Sequence, residues 1–429
     1  TGTQSYTASN GITANGSYTS SEAEITFTGD VTIADSVGMS VDTGSGSGNI
    51  TFIGTVDSEA GEGNDLTLTA GSGDVDLQGD AGLAASGDLG ELAIVSAGQV
   101  DLASIESDSF AVTAATNIDL NSTTYTAASS AISLGGPTDL DAGDATTTLT
   151  ASTANTGGLS AEQIVDGNQD TTLVVDVGDN HLDLTNSGND FSKLVIAASE
   201  NATVVDTNAI VFGGSTIGGA LDVTLSGNLT QSDALDVTGT STIDAGSGQI
   251  ILDNAGNDFQ DAIGVNTRIA ASRAVTLVDA NDLTLGAILL GSVRDTQLSL
   301  DAGGTITQDA AIEVDTLEVQ SDGATTLDHA GNLVNRLGAS SVNGLKLHDS
   351  AGGLILTGNL TSTGETSLTT SGGQLNLATF DLDASGQTLS LTGVGIVQDD
   401  SQPGDVLGAG TTLDAGTGSI ALTNASNDF

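Results

Sequence analysis

The sequence predicts an all-β chain wound as a right-handed parallel β-helix, an elongated solenoid. Three observations carry this. Short runs of alternating apolar and polar residues are separated by tiny turns, long internal repeats slip in length, and helical periodicity is almost absent. A string of β-sandwiches is the alternative architecture, but sandwiches usually need larger inward residues than Leu, Val, Ile and Ala.

The strands come first. In Leu66-Thr-Leu-Thr-Ala-Gly-Ser-Gly-Asp-Val-Asp-Leu77, Leu66, Leu68, Val75 and Leu77 share one face, and Thr67, Thr69 and Asp76 share the other. Gly248-Gln-Ile-Ile-Leu252 and Gly418-Ser-Ile-Ala-Leu422 have the same grain. Gly, Asn and Asp recur at the turns, where positive φ must be tolerated. At roughly 20–25 residues per coil the chain would make ~18–20 coils, and at ~4.8 Å per coil a rod of ~90 Å.

The long repeats follow. In the N-terminal part, Tyr18-Thr-Ser-Ser-Glu-Ala-Glu-Ile-Thr-Phe-Thr-Gly29 aligns without a gap with Tyr125-Thr-Ala-Ala-Ser-Ser-Ala-Ile-Ser-Leu-Gly-Gly136. Further on, Leu184-Thr-Asn-Ser-Gly-Asn-Asp-Phe191, Leu252-Asp-Asn-Ala-Gly-Asn-Asp-Phe259, Leu327-Asp-His-Ala-Gly-Asn-Leu-Val334 and Leu422-Thr-Asn-Ala-Ser-Asn-Asp-Phe429 share one consensus. Its structural positions are Asn189, Phe191, Asn257, Phe259, Asn332, Asn427 and Phe429. A second motif follows the first three copies, as Val204-Val-Asp-Thr-Asn208, Leu277-Val-Asp-Ala-Asn281 and Leu347-His-Asp-Ser-Ala351. The two families of repeat meet near residues 152–169. This divides the chain into 1–155, of the Tyr-Thr type, and 156–429, of the Asn-Asp-Phe type, as continuous parts of one β-helix.

Composition bounds the function. Of 429 residues, 58 are Gly and only two are Pro, which suits an array of small turns. The hydrophobic fraction of 38% is too high for a disordered acidic chain. Net charge is −50, with only six Lys or Arg, so a basic footprint for nucleic acid is missing and anionic membranes should repel the chain. No apolar run approaches the ~18 residues that a membrane-spanning helix needs, so membrane insertion is not expected. With no cysteine, disulfide frameworks and thiolate metal sites are excluded. Residue 1 is Thr and no leader is evident, so the chain is expected to be mature or cut from a longer one. Neither end shows an obvious polar cap.

Chemistry-bearing residues are sparse. Of the three histidines, His329 replaces the turn residues Asn186, Asn254 and Asn424, His348 sits on a strand face, and His181 has no evident partner. Arg268, Arg273 and Arg294 could neutralise a uronate, the best enzymatic feature available. Oxygen-rich turns at Asp139, Asp141 and Asp144, and at Asp279 and Asp282, are of the type calcium takes. A solvated acidic surface is the competing reading, and neither turn completes an EF-hand loop. No other cofactor is implied.

Asp65-Leu-Thr-Leu-Thr-Ala-Gly-Ser-Gly-Asp-Val-Asp-Leu77, the Tyr-Thr repeats, the Asn-Asp-Phe blocks and Asp279-Ala-Asn-Asp-Leu-Thr-Leu-Gly286 together resemble the repeat regions of filamentous haemagglutinin-type adhesins and related giant bacterial surface proteins. The resemblance implies an exported, β-helical chain with an adhesive or structural role, not an enzyme. Such a segment would form a stiff extracellular stalk. It would meet further repeats or other copies of the protein end to end, and cell-surface glycans or other cells. A self-assembling filament or sheath subunit is the runner-up. A β-helical polysaccharide lyase or hydrolase comes third.

Overall fold

A computed structural model describes residues 2–84, 87–143, 145–151, 158–166, 171–267, 273–291, 295–350, 352–399 and 403–429. Among them every helix or strand is a strand, and every strand pairing is parallel. The chain divides into two compact units, Thr1–Gly218 and Gly219–Phe429. Each is a parallel β-solenoid, as the alternating pattern predicts. Asp144, Arg268, Arg294 and much of 152–169 lie outside the described residues, as does the side chain of Arg273.

In the first unit, stacked side chains line three walls. One file runs Tyr6, Phe27, Phe52, Leu77, Leu102, Leu120, Leu140. A second runs Tyr18, Val41, Leu68, Ile94, Val112, Leu134. A third runs Val56, Ala81, Ile105, Tyr125, Leu149, Val175, Ile196. The period-2 alternation puts these residues inside and Thr, Ser and Asp outside, as in the buried–intermediate pattern of Leu66–Thr69. The second unit repeats the arrangement, with the file Leu354, Leu375, Ile396, Ile420 and the file Leu347, Leu368, Leu391, Leu413.

The aromatic residues are few but placed inside. Phe27, Phe52, Phe110, Phe191, Phe212, Phe259 and Tyr125 are the largest fully buried side chains. Aromatic rings therefore join Leu, Val, Ile and Ala in the interior. Phe27 and Phe52 stack at 4.7 Å with an interplanar angle of 9°, a consequence of like residues falling in one file.

In the first described coil, aromatic rings and polar side chains meet. Tyr6 stacks on Phe27 at 4.9 Å, and Tyr18 meets both rings edge-on. The Tyr6 hydroxyl donates to Gln4 Oε1 (2.8 Å), while Gln4 Nε2 reaches across to the Thr19 carbonyl (2.6 Å). These bonds place polar atoms beside the stacked rings.

Corners are held by acidic and amide side chains. Asn49 Oδ1 accepts the Asp74 amide, and Asp74 Oδ1 accepts the Gln99 amide, each step spanning 25 residues. In the second unit Asn359 accepts the Asp381 amide and Asp381 accepts the Asp405 amide, over 22 and 24 residues. Each such bond satisfies a backbone donor that the corner takes out of the ladder. Much of the acidity is thus structural.

Corner glycines serve conformation or space. Gly386 has φ +78° and nothing near where a Cβ would sit. Gly386→Ala should therefore cost only about 1 kcal/mol, from the left-handed backbone alone. A urea titration of the variant would check it.

Candidate functional site

The repeat motif builds a polar turn and a coil-linking Asn in all four copies, and a buried carboxylate follows in three of them. Its first slot makes a turn. Asn186, Asn254 and Asn424 each accept, through Oδ1, the amide two residues on (2.8, 2.9 and 2.9 Å). His329 does the same with Nδ1, accepting the Gly331 amide at 3.0 Å. The substitution keeps the acceptor, and the turn with it.

The second Asn points back to the preceding coil. Asn257, fully buried, accepts from the Leu235 amide (2.9 Å) and from Gln231 Nε2 (2.8 Å). Its Nδ2 donates to Gln231 Oε1 (3.0 Å) and to the Leu252 and Val278 carbonyls (3.3 and 3.2 Å). Asn332 repeats this with the Ile312 amide, Gln308 and the Leu327 carbonyl. Asn427 does so with the Val406 amide and both side-chain atoms of Gln398. Asn189 accepts the Ile164 amide and donates to the Leu184 carbonyl, while Gln163 there turns to the Gly188 carbonyl.

The third layer is a buried carboxylate from the second motif, one coil further on. Asp206 accepts the amides of Phe191 (2.7 Å) and Asn208 (2.8 Å). Asp279 accepts those of Phe259 (2.8 Å) and Asn281 (2.7 Å). Asp349 accepts the Val334 amide (3.2 Å) and the Thr370 hydroxyl (3.0 Å). The Asn carbonyls close each layer by accepting the amides of Thr207, Ala280 and Ser350. Relative exposure of Asp206, Asp279 and Asp349 is 3%, 2% and 1%. Burial raises the Asp206 and Asp279 carboxyls above the ordinary carboxylate range, against the opposing pull of their amide donors. Phe191 and Phe259 are buried beside these layers, Val334 takes the same position in the third copy, and Phe429 is half exposed.

Sequence reasoning found the Asn and Phe positions but missed Gln231, Gln308 and Gln398. A signal existed: each ends a short strand one coil before its Asn, in Leu229–Gln231 and Ile306–Gln308, or directly follows one, Ile396–Val397.

The candidate calcium ligands lie in separate settings. Asp139 is half-buried at the end of Ile132–Leu140, Asp141 is exposed beyond it, and Asp144 lies outside the described residues. Asp279 holds the two buried amides given above. Asp282 accepts the amide and hydroxyl of Thr305 (2.6 and 2.9 Å), which hold its carboxyl below the ordinary range. Among the described residues no group of three or more His, Cys, Asp or Glu is arranged to hold a metal ion.

The remaining ionic groups are scattered. His181, without an evident partner in the sequence, bonds Asn201 at 2.8 Å and lies 3.6 Å from Glu200. His348 bonds the Ser371 hydroxyl at the surface (2.7 Å). Arg336 pairs with buried Asp315 (2.8 Å), and Lys346 with Asp328 (2.6 Å). The repeated arrangement joins backbone to backbone across coils.

Residues 199–266, 272–336 and 374–429 each match a family model described as Repeats of unknown function (DUF5649). Each matched segment carries one of the coil-linking Asn positions: Asn257, Asn332 or Asn427. No curated protein and no solved structure matches the chain.

Proposed function

We propose that this chain is a non-catalytic structural segment of a secreted, cell-surface bacterial repeat protein, of the filamentous haemagglutinin-like kind. It acts as a stiff spacer. The observation that supports this most is the layered clip, in which side chains of three successive coils hydrogen-bond one another's backbone. Load applied along such a stack falls on many parallel bonds at once, and a low-complexity chain gains a fixed register from them. Its acidic exterior keeps it solvated and turns away nucleic acid and anionic membranes. Further repeats, or other copies of the protein, would be its end-to-end neighbours, and glycans on other cells the natural targets of the larger molecule.

Pulling the chain from its termini in a force spectrometer tests the spacer role. Coil-by-coil release would appear as steps of roughly 75 Å, for ~22 residues at ~3.4 Å each. A single low-force release of the whole length would remove the mechanical reading. Product formation from acidic polysaccharides incubated with the chain would instead establish an enzyme.

A further inference from the structure

One outward file of the first unit stands apart. Asp76, Asp101, Asp119 and Asp139 occupy the same register position on four successive coils, in Val75–Leu77, Leu89–Leu102, Ala115–Leu120 and Ile132–Leu140. In-register neighbours are ~4.8 Å apart, and like charges placed directly opposite repel. All four are half-buried. Upstream, the file continues into Thr51 and Thr26, and downstream it ends against Val165. No Lys or Arg occurs in residues 1–192, so the chain supplies no fixed cation there.

The surroundings of Asp101 are acidic and amidic. From the strands packed on either side, Asp76 and Asp119 face it, with Asp139 one coil further. Gln99 Nε2 donates to both Asp101 Oδ1 (3.1 Å) and Asp119 Oδ2 (2.7 Å), which ties the two carboxyl groups together. Gln78 donates to Asp76 (2.7 Å), and Asn117 to Asp119. These amides orient the carboxylates without removing their charge.

We propose that this aspartate ladder is a pH-responsive seam: a proton taken up between Asp101 and Asp119 relieves the repulsion along it, and the first unit tightens as the medium acidifies. Burial, then the charges of Asp119 and Asp76, hold the Asp101 carboxyl above its ordinary value of 3.8, while the Gln99 amide opposes them. Between that ordinary value and the raised one, the folded unit binds more protons than the unfolded chain. Stability therefore rises as pH falls through this window and is lost as pH rises. Glu62, lowered from 4.5 by Ser36 and Asn64, acts in the opposite sense once pH falls below 4.5.

The chain carries its own reporter. Its three tyrosines, Tyr6, Tyr18 and Tyr125, all lie in the first unit, and there is no tryptophan, so tyrosine fluorescence follows that unit alone. The full chain is unfolded in urea between about pH 7 and about pH 4.5. The midpoint should rise on acidification by a few tenths molar, on the order of 0.3 M. Asp101→Asn should raise the midpoint at neutral pH and reduce its pH dependence, the remainder coming from buried Asp206 of the same unit, while Asp222→Asn in the second unit leaves both unchanged. Three results would overturn the proposal: a flat or falling wild-type midpoint, an Asp101→Asn shift that is equal at every pH, or an Asp101-dependent gain with millimolar calcium at constant ionic strength and neutral pH. The last would mean that metal, not a proton, neutralises the ladder.

Discussion

Replacing Asn257 by Ala should destabilise the second unit by about 3–5 kcal/mol, at the high end for a single polar truncation. The size follows from what is left behind. The Leu235 amide, the Gln231 side-chain amide and the Leu252 and Val278 carbonyls would all lose a partner at a site with no exposure. Each stranded buried group costs about 1–3 kcal/mol, and relaxation keeps the sum below simple addition. Gln231→Ala, at the less buried end of the pair, should cost about 1–2 kcal/mol, and the double variant less than the sum, because the amide–amide pair is lost only once. Two units need not unfold together, so hydrogen exchange at the Leu235 amide is the sharper measurement. Unchanged protection there in Asn257→Ala would mean that backbone ladders alone hold these coils.

The same clip shows what a linear sequence discloses. The strands and the interior files were legible because period-2 alternation is a local signal, as in Leu66–Thr69. The Asn-Asp-Phe blocks were legible as repeats because their turn is local: Asn254 and Gly256 are two residues apart. Their purpose was not, because the partners lie one coil away. Gln231 precedes Asn257 by 26 residues, and Asp279 follows Phe259 by 20. Coil lengths vary, so no constant offset links them. Asp279 illustrates the ambiguity best. Beside Asn281 and Asp282 it looks like a calcium loop; its bond to the Asn281 amide is local, and only the coil-to-coil register shows its other oxygen holding the Phe259 amide. The Gln4–Thr19 contact was hidden similarly, since the two residues meet only once the chain has turned.

This register also sorts the acidic residues into kinds with opposite responses to pH. Corner acceptors such as Asp282 are held low and lose their contribution in acid. Asp206 and Asp279 in the clips, and Asp101 in the ladder, are held high, so acid relieves them. A net charge of −50 therefore gives a poor guide to acid sensitivity; the placement of each carboxyl decides the sign.

Gly248→Ala should cost about 3 kcal/mol, well above Gly386→Ala, although Gly386 has the more unusual backbone. The Ala-Gly-Ser-Gly corner at Ala245–Gly248 recurs at 70–73 and, with Thr, at 415–418. In each, the last glycine amide donates to the alanine carbonyl, at 2.8, 2.7 and 2.8 Å in chain order. The two glycines answer different demands. Gly71, Gly246 and Gly416 have φ of +64°, +50° and +52°, so they satisfy conformation. Gly248 has no such φ, but a Cβ there would lie 1.9 Å from the Gly227 carbonyl oxygen. That atom is backbone of the neighbouring coil and cannot rotate away. Room could come only from parting the coils, which strains the bond from Gln249 N–H to Asn228 and the one from Leu229 N–H to the Gln249 carbonyl. Urea midpoints of the two variants, each against wild type, give the ranking. If Gly386→Ala proved the costlier, conformation rather than coil contact would govern these corners, and close stacking could not explain why glycine fills them.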